Sequence, residues 1–170
     1  QYGNINVGIG THLKLYALTG DDTVTDITPI RASSTINNNP FSMTSGSATV
    51  TVTDTAHGAA AGDYVTYSGA TAAGGITIVG EYQIVTEIDN NIYTITHSSA
   101  ATSTTTGGGA SVTAAYQINI GTSGTVYGLG WGAGNWSEGT WGTERTEGIS
   151  LEGRYWSVAE YGNDLLASPS

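Results

Sequence analysis

Three tryptophans recur at a five-residue interval, Trp131, Trp136 and Trp141, in a stretch that is otherwise mostly small: Gly130-Trp131-Gly132-Ala133-Gly134-Asn135-Trp136-Ser137-Glu138-Gly139-Thr140-Trp141-Gly142. A fourth, Trp156, follows in Arg154-Tyr155-Trp156-Ser157. Indole faces stack on flat apolar surfaces, so one chemistry open to this set is the seating of a sugar or a base. The other is packing, in which glycines let the backbone fold tightly while the indoles fill space between sheets or between subunits. Stacking platforms usually bring Asn, Asp or Arg groups for the polar edges of the ligand, and the composition of this stretch favours packing. We take the four tryptophans as candidate subunit-packing or glycan-stacking residues.

The remaining reactive side chains form no motif. His12, His57 and His97 are far apart and show neither H-x-H nor H-E-x-x-H spacing, which leaves turn or strand-edge roles rather than a metal site. Asp21, Asp22 and Asp26 lack the spacing of a calcium loop and suit the turn of a hairpin. Glu81 and Glu87, or Glu144 and Glu147, could be paired for glycoside hydrolysis, but the first pair shares a strand-like run and the second a polar loop, so solvated surface is the expectation for both. There is no nucleophile elbow and no phosphate-binding loop. The expectation is no enzymatic activity, no cofactor and no metal.

Composition narrows the partners. The chain has 170 residues, 14 Asp plus Glu against 4 Lys plus Arg, a formal net charge of −10 and no cysteine. Four cations, Lys14, Arg31, Arg145 and Arg154, cannot neutralise a run of phosphates, so sequence-specific nucleic-acid binding is not expected, nor is docking on an anionic membrane. The absence of cysteine removes disulfides, thiolate metal sites and a cysteine nucleophile. No apolar run is long enough for a membrane span. The chain starts at Gln1 rather than at a methionine and stops at Ser170 without a cap or tail pattern, which is compatible with a processed product, a piece of something longer, a shortened relative or one domain of a split protein.

The elements that must position these residues are strands. The 25 glycines and 10 tyrosines, beside many Thr and Ser, suit pleated surfaces and tight turns rather than helices. Leu13–Leu18 and Thr23–Ile27, joined through Thr19-Gly20-Asp21-Asp22, read as a hairpin ended near Pro29, and Asn37–Pro40 as a connection. Thr49–Thr53 alternates polar and apolar. It is followed by a turn over His57–Asp63 and by strands at Tyr64–Tyr67, Ile76–Val79, Tyr82–Ile88 and Ile92–Thr96, spacing that fits a small barrel or sandwich. The tract around Thr104-Thr105-Thr106-Gly107-Gly108-Gly109 reads as a flexible linker, and Ala115–Ile120 as a further strand. The expected fold class is all-β: a small barrel or sandwich over residues 41–98 inserted into a β scaffold made of 1–40 and 110–170, with 99–109 as linker.

Two sets of residues carry a family resemblance. Gly10-Thr11-His12-Leu13-Lys14-Leu15-Tyr16 with Asp26–Arg31, the Gly130–Gly142 stretch, Arg154-Tyr155-Trp156-Ser157 and Tyr161–Leu166 together resemble the amino-terminal part of tail structural proteins of tailed bacteriophages. Those are long virion proteins, often β-propeller-bearing, of the nozzle or hub type. The middle segment, through Thr49-Val50-Thr51-Val52, His57-Gly58, Gly62–Tyr67, Gly80–Ile84 and Tyr93-Thr94-Ile95, is similar to small β-barrel modules of phage proteins and to the first catalytic cysteine half-domain of ubiquitin-activating enzymes. No catalytic cysteine is present to carry over. The resemblance implies a virion component of a phage tail whose partners are copies of itself and other tail proteins, and this chain departs from that pattern chiefly by stopping after Leu166, where such proteins would be expected to continue into propeller strands. The alternative is a carbohydrate-binding adhesin or receptor-binding module of a tail fibre that uses the tryptophans on a host-surface glycan.

Overall fold

In a computed structural model, which describes residues 7–124, 153–161 and 164–169, every regular element is a β-strand. No helix among them is long and apolar enough to cross a membrane. The chain divides into two compact units, Thr28–Ile120 and the flanking segments 1–27 and 121–170.

The Thr28–Ile120 unit is built on one antiparallel sheet of eight strands. In chain order these are β4 (Ile30–Thr35), β5 (Phe41–Met43), β6 (Thr49–Thr53), β7 (Tyr64–Ser68), β8 (Gly80–Asp89), β9 (Ile92–Thr96), β10 (Thr105–Gly107) and β11 (Thr113–Gln117). Across the sheet they run β10-β5-β6-β9-β8-β7-β11-β4. The sheet curls into a half-barrel, so that Phe41 of β5 meets Tyr67 of β7 edge-on, with ring centroids 5.2 Å apart. The period-2 pattern of the sequence is what closes it. Val50 and Val52 of β6, Val65 and Tyr67 of β7, Tyr93 and Ile95 of β9, and Ala114 and Tyr116 of β11 all point inward, while the Thr and Ser between them face out. Each fully buried aliphatic side chain contributes about 1.5–3 kcal/mol through the water-exposed apolar surface it removes.

Three expectations are corrected here. Ile76–Val79 is not a strand: Ala73 and Ile76 close a tight bridge, and Ile76 and Ile78 reach the core from irregular backbone. The tract at 99–109 is not a linker, since Thr105–Gly107 pairs with Phe41–Met43 and forms one edge of the sheet. Its glycines serve close approach rather than flexibility. A Cβ on Gly107 would lie 2.3 Å from Cβ of Ala73, and one on Gly108, whose φ is +113°, would lie 2.6 Å from the Phe41 ring. The sheet also extends past 41–98, because Ile30–Thr35 and Thr113–Gln117 are paired into it and Ile36 N–H bonds to the Val112 carbonyl.

The second unit carries β1 (Val7–Gly10), β2 (Leu15–Leu18) and β3 (Val24–Asp26) in a three-stranded antiparallel sheet, and β12 (Trp156–Tyr161) paired with β13 (Asp164–Pro169). The expected hairpin around Asp21-Asp22 is present, shorter at its amino end because Thr11 caps a turn there through its hydroxyl to the Lys14 N–H. At the hairpin tip Asp22 adopts φ +61°, a left-handed conformation that Asp tolerates. Asp21 accepts hydrogen bonds from the Thr19 hydroxyl and the Thr23 N–H, and these hold its carboxyl below its ordinary pKa, the Thr19 contact most strongly.

Candidate functional site

Two features of the structure are candidates for function: a buried polar chain in the half-barrel and the apolar strand surfaces of the smaller unit.

The polar chain starts at Tyr67, whose hydroxyl is hydrogen-bonded to that of Tyr93; Tyr93 bonds to Tyr116 at 2.8 Å, and Tyr116 donates to Asp54 Oδ2 at 2.5 Å. With a carboxylate as terminal acceptor, each hydroxyl donates toward Asp54 and accepts from the one behind it. Burial pushes all three phenols up, Tyr93 to about 12 and Tyr67 and Tyr116 well above their ordinary value. His57 closes the cluster. Its Nδ1 accepts the Ala59 N–H at 3.0 Å and its Nε2 lies 3.0 Å from the Asp89 carbonyl, which fixes the Nε2–H tautomer. The imidazole packs edge-on to Tyr93 at 4.8 Å, while Arg31 donates to the His57 carbonyl at 3.1 Å and lies 5.1 Å above the Tyr116 ring.

Both ring nitrogens of His57 are thus engaged, so it is not placed as a base for a neighbouring nucleophile. The cluster instead ties the Asp54–Asp63 loop to Asp89 at the end of β8 and to Tyr116 of β11. Asp63, 1% exposed, does the same further along: it accepts from the Ala60 N–H at 2.9 Å, the Ile120 N–H at 2.9 Å and Asn119 Nδ2 at 2.6 Å. Sequence reasoning placed His57 in a turn and missed its burial. The available signal was the coincidence of a histidine, two aspartates and glycines within ten residues.

In the smaller unit the apolar side chains are largely unburied. The core cluster of buried apolar residues is drawn entirely from residues 36–116, and among the large apolar side chains described in the smaller unit only Leu15 is buried. Val7 and Ile9 of β1, Val24 of β3, Val158 of β12 and Leu166 of β13 are all 41–59% exposed. Lys14 is buried and paired with Asp26 at 2.7 Å. Neither outer edge of the β1-β2-β3 sheet pairs with a further strand among the described residues.

Of the tryptophans, Trp131, Trp136 and Trp141 lie outside the described residues, as do Glu144 and Glu147. Trp156 is half-buried. Its indole N–H donates to the Thr11 carbonyl at 2.9 Å, and a Cβ on Gly10 would fall 2.3 Å from the indole ring, so that ring lies directly on the β1 backbone. Glu81 and Glu87 do not act as a pair: Glu81 accepts from Gln117 Nε2 at 2.8 Å, while Glu87 sits opposite Tyr93 between two register shifts in β8. Among the described residues no three His, Cys, Asp or Glu side chains gather as a metal site would require.

No family model matches the chain, and no curated relative does. Among solved structures it is similar to a phage phi92 endosialidase. The likeness covers 68% of this chain at 20% identity with a TM-score of 0.46, and the chain spans 18% of that protein's length. At that level no role passes from the endosialidase to this chain. The endosialidase likeness also adds nothing to the resemblance of the middle segment to ubiquitin-activating enzymes.

Proposed function

We propose that this chain is a structural component of a bacteriophage tail, of the nozzle or hub type, that assembles with copies of itself and with other virion proteins. The observation that carries the reading is the exposure of Val7, Ile9, Val24, Val158 and Leu166 on strands of a unit in which, among the described residues, Leu15 is the large apolar side chain that is buried. Two- and three-stranded sheets without a packed face are marginal in water. Covering the part of each side chain that is still exposed with a neighbouring subunit stabilises it by about 1 kcal/mol, and the strand edges left unpaired among the described residues offer the hydrogen-bonding groups to align that neighbour. Of the residues that bear the phage-tail resemblance, Gly10–Tyr16, Asp26, Arg154–Ser157 and Asp164–Leu166 lie in or beside the same strands, Ile30 and Arg31 lie in β4 of the half-barrel, and Gly130–Gly142 lie outside the described residues.

The role assigned is scaffolding, with no catalytic residue. Few charges and much Thr, Ser, Gly and Tyr surface suit faces that become buried between subunits. Sedimentation velocity on the purified chain tests this directly: a defined oligomer at micromolar concentration is expected. A monomer that stays monomeric up to its solubility limit would end the reading.

A further inference from the structure

The loop between β6 and β7 is held shut by a histidine that must be neutral to hold it. His57 is 5% exposed, its Nδ1 accepts the Ala59 N–H and its Nε2–H donates to the Asp89 carbonyl, both at 3.0 Å. Both partners are backbone groups whose roles cannot be exchanged, since an amide N–H only donates and a carbonyl oxygen only accepts. A proton added at Nδ1 therefore sets N–H against N–H in a site shielded from water, and the Ala59 amide loses its acceptor.

The groups packed around the ring give that proton no bonded counter-ion. From β4, the Arg31 guanidinium bonds the His57 carbonyl at 3.1 Å, a like charge in the same cluster. From β9 and β11 come the neutral phenols of Tyr93, edge-on at 4.8 Å, and Tyr116, stacked at 6.5 Å. The carboxylates are bonded to other donors: Asp54 to the Tyr116 hydroxyl at 2.5 Å, Asp89 at the end of β8 to the Asn91 N–H at 2.7 Å, and Asp63 to the Ala60 and Ile120 amides and Asn119.

The same segment is bent at a conformational cost. Ala56, which has no polar side chain to support the turn, sits at φ +56°, two residues before Gly58 at φ +59°. Its N–H is taken by Asn91 Oδ1 at 3.1 Å, and the His57 N–H reaches the Asn90 carbonyl only at 3.3 Å. The ends are tied down without the imidazole, Asp54 through its N–H to the Asn91 carbonyl at 2.8 Å and Asp63 through its three donors.

We propose that residues 55–60 form a latch released by mild acid: protonation of His57 breaks its bond to the Ala59 amide, relaxes the left-handed turn at Ala56 and swings the segment off the rings of Tyr93 and Tyr116, with Asp54 and Asp63 as hinges. The proton comes from solvent and returns to it on neutralisation, so the release is reversible. Histidine is the side chain whose charge ordinarily changes between about pH 5 and 8. The latch lies within Thr28–Ile120 and does not depend on the assembly role proposed for the smaller unit.

The test is amide hydrogen exchange on the full chain, corrected for the intrinsic pH dependence of exchange, from about pH 8 down to about pH 5, which stays above the ordinary carboxyl range. Protection of the Ala56, His57 and Ala59 amides should fall at least roughly tenfold over that span while β6 and β9 stay protected. His57→Gln, whose amide supplies one acceptor and one donor but does not titrate, should hold the same protection at both ends, and His12→Gln and His97→Gln should leave the fall intact. The proposal is overturned if the unaltered chain shows no fall or if the fall survives His57→Gln. Nitrogen-15 NMR of the imidazoles decides the matter without a variant, should His57→Gln fail to fold. A His57 ring charged at the acid end beside an unprotected Ala59 amide supports the latch; a ring that stays neutral there, or a charged ring with Ala59 still protected, removes it.

Discussion

The tyrosine chain is where single atoms decide most. Tyr116 is both donor to Asp54 and partner to Tyr93, so Tyr116→Phe keeps the ring and its packing but deprives a buried carboxylate of its hydrogen bond. We expect a loss of about 2–3 kcal/mol, read from urea unfolding midpoints at unchanged slope. The same cluster predicts the alkaline limit of the fold. Each phenol has a folded pKa above its ordinary value of 10.0, so the folded state keeps a proton that the unfolded state releases. Its contribution is complete below pH 10 and drains away as pH rises from 10 toward 12, where Tyr93 begins to ionise in place. Tyrosinate absorbance at 295 nm should therefore rise in two stages, exposed tyrosines first and the buried three only with the loss of far-ultraviolet β signal. A single smooth titration with the fold intact would contradict the buried chain.

At the scale of elements, the Thr104–Gly109 tract shows how composition misleads. Threonine and glycine in a row have the look of a flexible connection, yet here the threonines form an edge strand and the glycines admit the Ala73 and Phe41 side chains to the backbone. Gly108→Ala should cost about 2–4 kcal/mol, from left-handed strain plus the push against Phe41, and lower the melting temperature accordingly. A true linker would tolerate the change. Ile76–Val79 is the mirror case: its alternation was legible and its burial real, but the ladder partner was missing, since period-2 hydrophobicity reports which side chains face a core and not whether the backbone is paired. In contrast, Thr49–Thr53 and Ile92–Thr96 form strands with the bounds the sequence suggests, because each combines alternation, β-branched residues and a turn on one or both sides.

For the whole molecule, the uneven distribution of core points outward. The Thr28–Ile120 unit buries its apolar residues itself, whereas among the described residues of the segments 1–27 and 121–170 Val7, Ile9, Val24, Val158 and Leu166 face solvent. Val24→Lys combined with Val158→Lys should leave the half-barrel's thermal transition within about 1 kcal/mol of the unaltered chain, and it should shift the sedimentation profile toward monomer. Persistence of the oligomer would move the assembly surface elsewhere. The sequence by itself determined the all-β class, the hairpin at Asp21-Asp22, the strands of the middle segment other than Ile76–Val79 and the poverty of charge that disfavours a nucleic-acid grip, because these follow from local propensity, period and counting. The burial of His57 and Asp63, the recruitment of Ile30–Thr35 and Thr105–Gly107 into one sheet, and the meeting of His57 with Tyr93 were decided only by the tertiary structure. Each of these joins residues far apart in the chain, and no local pattern encodes which distant strand will supply the other half of a hydrogen bond or a ring contact.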